Sequence, residues 1–256
     1  MKYSIDRKER ITLGGMKQAI HIWGTKQENP VILFLHGGPG VPNRHGMAKN
    51  HMDLLDDFTI VAWDQRGTGG SYFGCDPATL TLEQLISDCA ELIDYLCKTL
   101  NKEKIFLLGA SWGTELGTYV CQKHPQQIAG YIGYGQVVNG IENEAVSYAY
   151  VLEKAKEAGN AEDIAELEKI GPPVDGQYKP VFEGLMTQRR IMKKYGGHST
   201  KKSGYFTGTV LPILTSPELD LRSKIGTAKG YKVARRTIAK YRDQLGIPKA
   251  RLRKEL

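Results

Sequence analysis

The sequence predicts an α/β fold: a sheet of buried parallel strands, a helical layer after it, and a short basic helical tail. Three observations carry this. Residues 1–135 alternate short apolar runs with longer amphipathic stretches, which is the pattern of strands and helices wound into one sheet. From residue 140 the texture turns to helices rich in Glu, Lys and Ala. The charge is also uneven: Arg222–Leu256 holds twelve Lys/Arg and two Asp/Glu, a local charge of +10, leaving −3 for residues 1–221 of a chain whose net charge is +7.

The strand candidates, in order, are 18–23 (QAIHIW), 31–36 (VILFLH), 58–63 (FTIVAW), 104–109 (KIFLLG) and 128–134 (IAGYIGY). The runs at 31–36, 58–63 and 104–109 are almost wholly apolar, as strands covered on both faces must be. A helix is expected over 81–100, where Leu82, Leu85, Ile86, Leu92, Ile93 and Leu96 recur at helical spacing behind Thr81 as N-cap. A second is expected over 112–124, stopped by Pro125. Residues 141–170 and 180–195 read as helices broken by Gly171-Pro172-Pro173, and Thr209–Leu214 is a short apolar piece. The resulting division is a sheet core over 1–135, a helical cap over 136–221 and a basic tail over 222–256.

Composition narrows the class. At 41% hydrophobic and 25% charged residues the chain is neither disordered nor fibrous. Its longest apolar run, Val31–Leu35, is far short of the roughly 20 residues a membrane helix needs. The charged opening MKYSIDRKER lacks the apolar stretch of a secretory signal, so a cytoplasmic protein is expected. Cys75, Cys89, Cys97 and Cys121 have neither metal-ligand nor disulfide-framework spacing, and no cofactor or metal is expected.

Three motifs follow three of the strands. Gly109-Ala110-Ser111-Trp112-Gly113 is a G-x-S-x-G sequence between an apolar strand and a helix, where a sharp turn exposes a serine hydroxyl at a helix N-terminus. His36-Gly37-Gly38-Pro39-Gly40 ends the 31–36 strand, and its glycines let backbone amides turn inward, as an oxyanion hole requires. Asp64-Gln65-Arg66-Gly67-Thr68-Gly69-Gly70-Ser71 follows the 58–63 strand and is placed to brace the oxyanion loop through Asp64 and Arg66. Taken singly, these read equally as an N-cap serine, a Gly-Pro loop and a solvated connection.

In this order and context the three motifs resemble the α/β-hydrolase superfamily, and within it the proline iminopeptidase-like branch. The resemblance covers about residues 1–221. It implies Ser111 as nucleophile, the amides of Gly38 and Trp112 as the oxyanion hole, and a helical cap that selects small peptide or ester substrates, often with an N-terminal proline. In that family the triad acid and then the histidine follow the cap. Here the last histidine is His198, inside the expected cap, and the later acids are Glu218, Asp220, Asp243 and Glu255. The fold is therefore expected to lack its last strands, activity to be impaired for want of a triad acid and histidine, and the uncovered sheet edge to promote self-association.

The tail has a separate character. A helix over Ala234–Leu245 places Ile238, Tyr241 and Leu245 on one face, with Gly246 as a stop and Arg235, Arg236, Lys240 and Arg242 over the rest. Such a helix fits a major groove, and equally a basic amphipathic helix without sequence preference. Ala234-Arg235-Arg236-Thr237-Ile238-Ala239-Lys240-Tyr241-Arg242-Asp243 resembles the RpoN box of the sigma-54 RNA polymerase factor, a resemblance extending over about Ser223–Leu256. That implies duplex DNA as a partner, with Arg235 and Arg236 as the prime base readers. Ser223–Gly230 (SKIGTAKG) looks too short to supply the helix that precedes the box in that family. Two truncated resemblances meeting near 221–226 point to a chimera, with a natural fusion as the alternative.

Overall fold

The computed structural model describes residues 4–197 and 211–230. These divide into two units. One holds residues 4–136 together with 211–230, and the other holds 137–197.

The first unit is built on a six-stranded mixed sheet in the order β1-β2-β4-β3-β5-β6. Its strands are β1 (Ile5–Leu13), β2 (Met16–Gly24), β3 (Val31–Leu35), β4 (Thr59–Asp64), β5 (Ile105–Ala110) and β6 (Ile128–Tyr134). β2 runs antiparallel to β1 and β4, whereas the β4-β3-β5-β6 neighbours are parallel. The five expected strands are all present. β1 was not expected, because five consecutive positions, Asp6, Arg7, Lys8, Glu9 and Arg10, are charged on both faces and leave no period-two signal for a hydrophobicity reading.

β3 is buried at every position, and alternate side chains meet different layers. Phe34 joins Trp23, Leu55, Ile60 and Met47, the last from α1 (Arg44–Asn50). Leu35 points the other way, to Gly117 of α3 (Trp112–Lys123). α2 (Leu82–Thr99) buries Leu85, Ile86, Leu92, Ile93 and Leu96, and the Thr81 hydroxyl caps it by accepting the Gln84 amide at 3.0 Å. A 3-10 turn opening at Pro125 follows α3, as the proline predicts.

In the second unit the stretch expected as one helix over 141–170 is two, α4 (Gly140–Glu157) and α5 (Ala161–Ile170). Gly159, at φ +63°, turns the chain, and the Asn160 side chain caps α5 at the Asp163 amide. With α6 (Val181–Lys194) these helices bury Tyr148, Val151, Ala155, Leu167, Tyr178 and Ile191 among themselves. The carboxylate of Asp163 is buried too. Burial opposes its charge, but Lys194 at 2.5 Å and the Tyr195 hydroxyl at 2.8 Å outweigh that and hold its pKa below the usual range.

Two expectations change at the C-terminal end. The piece read as apolar strand-like material forms a short helix, α7 (Leu211–Thr215). Residues 211–221, assigned by sequence to the cap, belong with the sheet instead. The segment read as too short for the full helix that precedes the box lies within α8 (221–230), and the junction placed near 221–226 falls inside that one helix. Asp220 starts it, its side chain accepting the Ser223 amide at 2.7 Å. Burial opposes the charge of Asp220, but bonds from Ser223 and the charge of Arg10 outweigh it and lower its pKa.

Candidate active site

Ser111 stands between β5 and α3 with φ +50° and ψ −123°, a conformation that costs a non-glycine residue about 1–3 kcal/mol. The surrounding fold holds it there. Its amide donates to the Tyr134 carbonyl at 3.0 Å, and its carbonyl accepts the Thr114 amide at 2.8 Å and the Thr114 hydroxyl at 2.6 Å. Its own hydroxyl makes no cap bond, and the residue is exposed. Glycine is required just after it: a Cβ on Gly113 would lie 2.0 Å from the Leu35 carbonyl oxygen.

The His36–Gly40 loop lies against this turn. A Cβ on Gly37 would sit 2.8 Å from the Ala110 carbonyl oxygen and 3.0 Å from Ser111 Cβ. Gly38 adopts φ +122°, open only to glycine. Trp112 opens α3, so its amide has no acceptor within the helix. The Ser111-Trp112 turn after β5 and the Gly37-Gly38 backbone after β3 thus meet at one end of the parallel strands.

His36 is fixed as a neutral ring. The Gln65 amide donates to its Nε2 at 3.3 Å, so Nε2 is an acceptor and Nδ1 carries the proton given to the Gly37 carbonyl at 2.9 Å. Burial lowers its pKa, against the raising effects of the Gly37 carbonyl and Asp64. With both nitrogens engaged, His36 is not a base for Ser111. His21 is buried on β2 beside Asp6 and Glu218, 2.7 and 3.2 Å away, and burial lowers its pKa as well. His198 lies outside the described residues, and no histidine among the described residues is bonded to the Ser111 hydroxyl.

The brace expected from Asp64 and Arg66 is built differently. Gln65 grips the loop directly, its side-chain amide donating to the His36 carbonyl at 3.2 Å. Asp64 acts through Arg44, whose guanidinium it holds at 2.9 and 2.8 Å. Arg66 points away from the loop, to Asp88 of α2 at 2.7 and 2.8 Å and to the Gly14 carbonyl at 2.8 Å. Burial opposes its charge, but its bonds to Asp88 raise its pKa above the ordinary value. Sequence reasoning had no signal for these long-range partners beyond the charges themselves.

Arg235, Arg236, Lys240 and Arg242, the DNA contacts expected of the tail, lie outside the described residues. Among the described residues no group of three His, Cys, Asp or Glu gathers to hold a metal, and no helix is long and apolar enough to cross a membrane.

A mixed sheet with parallel central strands, a strained serine at the strand-to-helix turn after β5 and a glycine loop laid over it define the alpha/beta hydrolase fold. The model of that family matches residues 30–162, and the chain belongs to it. A second family model, that of the sigma-54 DNA-binding domain, matches residues 220–255. The probable aminopeptidase YbaC of Bacillus subtilis is 30% identical over 237 residues, covering 92% of this chain and 73% of that protein. A proline iminopeptidase of Lactobacillus acidophilus is 32% identical over 120 residues, which span 46% of this chain and 40% of the relative. Two solved structures share the fold at 18% identity. VinJ matches with a TM-score of 0.58 over 85% of this chain and 70% of its own, and epoxide hydrolase VrEH1 from Vigna radiata with 0.51 over 93% and 74%. A match over 92% of the chain has to run past residue 230, so the aminopeptidase likeness overlaps the sigma-54 one.

Proposed function

We propose that the chain is a serine hydrolase of the aminopeptidase type, in which Ser111 attacks the acyl carbonyl of a small peptide or ester. The amides of Gly38 and Trp112 stabilise the oxyanion, and the positive end of α3 adds to that field. The observation that carries this reading is Ser111 itself: a strained, exposed serine with an unengaged hydroxyl, 3.0 Å at Cβ from where a Gly37 side chain would begin. The aminopeptidase and proline iminopeptidase relatives support a peptide substrate.

No described residue is hydrogen-bonded to the Ser111 hydroxyl as a general base would be, and loss of a triad histidine costs a serine protease on the order of 10⁶ in turnover. Cleavage of prolyl and ester substrates by this 256-residue chain is therefore expected near background. A fluorophosphonate probe is expected to label slowly and only at Ser111, with labelling lost in Ser111→Ala. Turnover that survives Ser111→Ala would overturn the serine assignment. Fast turnover lost in that variant would overturn the impairment.

The match at 220–255 favours a second activity, duplex DNA binding through Arg235, Arg236, Lys240 and Arg242. Binding is expected to be weak, to fall steeply with salt, and to discriminate little between GG-containing and scrambled duplexes. Titration of both duplexes at two salt concentrations tests this. A strong GG preference lost in Arg235→Ala would show a working base reader, and no binding at low salt would end the proposal.

A further inference from the structure

We propose that Ser223 is a positioning residue for the His36–Gly40 loop, acting through Arg44, so that α8 is a brace for the candidate active site. The catalytic part of this proposal rests on the reading of that loop as an oxyanion hole.

The loop is held at both ends by consecutive residues at the end of β4. Gln65 holds its start by gripping His36. Asp64 holds its far end, because the loop runs through Val41-Pro42-Asn43 into α1, and Arg44 is the first residue of that helix. The Arg44 guanidinium is buried, takes Asp64 at two oxygens, and places Nη2 2.9 Å from the Ser223 hydroxyl oxygen, to which it donates. Asp64 Oδ2 also accepts the Gly70 amide at 2.7 Å. An arginine cannot shed its proton, so each buried N–H must find an acceptor. Ser223 supplies one that the strands and the loop do not.

Ser223 can reach Arg44 only because α8 lies directly on the turn after β4. A Cβ on Gly226 would sit 1.9 Å from the Gly69 carbonyl oxygen, and one on Gly230 would sit 2.4 Å from that of Gly67. Thr227 fills the space between, its hydroxyl donating to the Ser223 carbonyl at 2.8 Å. Arg10 ties the same turn to β1 by donating to the Gly70 carbonyl at 2.6 Å and pairing with Asp220 at 3.6 Å. Small residues on one face of α8 are thus what lets its backbone seat against the sheet unit, and the hydroxyl on that face completes the arginine.

The test measures amide exchange over residues 37–47 and the rate of fluorophosphonate labelling of Ser111 in the full chain, for wild type, Ser223→Ala and Ser223→Thr. Ser223→Ala is expected to speed exchange across 37–47 about tenfold, as removal of one partner of a buried charged group does. Labelling should slow by a similar factor, and Ser223→Thr should restore both. Thermal melts and exchange in β5 report any general loss of stability. Thr81→Ala, which removes a cap on α2, controls for destabilisation elsewhere in the same unit. Unchanged exchange at 37–47, or a rise equal to that in β5 and in Thr81→Ala, would overturn the brace. Faster loop exchange with labelling unchanged would leave the contact standing and sink the oxyanion reading of the loop.

Discussion

The two edges of the sheet are opposites. β1 carries charge at Asp6, Arg7, Lys8, Glu9 and Arg10, and nearly every one is engaged. Asp6 meets His21, Lys8 meets Glu218 at 3.1 Å, Arg10 meets Gly70 and Asp220, and Glu9 is bonded by Arg7 and Tyr95. β6, at the other edge, has no charged side chain and, among the described residues, pairs as a strand with β5 alone. Ile132 and Tyr134 are each about half exposed, at 52%. Charge on an edge strand does not mark it as weak when long-range partners satisfy each group. An apolar strand is not thereby an interior one.

The largest expected effect is on the β1 side of the sheet. Asp64→Ala leaves the buried Arg44 without its carboxylate, and stability of the sheet unit is expected to fall by about 3–5 kcal/mol, measured by urea unfolding. A loss near zero would mean that α8 and the turn hold the arginine without the ion pair.

The next effect is pH dependence. Burial lowers the pKa of both His36 and His21 below the ordinary histidine value of about 6.5, so the unfolded chain binds more protons than the folded one between the two values. Their contribution to stability is fully present above about pH 6.5 and is lost as pH falls toward the folded values. The melting temperature should therefore drop on going from about pH 7.5 to about 5.5, and less so in the His21→Gln, His36→Gln double variant. An equal drop in both proteins would assign the acid sensitivity to other groups.

The smallest change in fold stability is expected at the opposite edge. Ile132→Lys puts a charge on exposed β6 and should alter stability by no more than about 0.5 kcal/mol. It should nonetheless reduce concentration-dependent self-association, read by light scattering, because an uncharged open edge templates pairing between chains. Equal association in wild type and variant would show that β6 is not the sticking surface.

The elements whose burial is a local property were legible before folding was considered. β3, β4 and β5 are continuous apolar runs, α2 and α3 carry their own periodicity and stop signals, and the G-x-S-x-G and HGGPG turns name their backbone demands through glycine. The sequence likewise placed Ser111 at the end of a strand, since the strand and the helix on either side are both legible. Tertiary structure decided what each polar group would meet. β1 was hidden because its stabilising contacts are charged and distant. Gln65 and Arg44, rather than Arg66, came to brace the loop because the orientation of side chains at the end of β4 is set by α1 and α2. α8 was read from sequence only as a segment too short for the full helix that precedes the box, whereas in the fold Gly226 and Gly230 let its backbone lie on the Gly67–Gly70 turn. Arg44 and Ser223 are 179 residues apart in sequence and 2.9 Å apart in the fold. Hydrophobic pattern records whether a residue is buried, and only the folded chain chooses its partner.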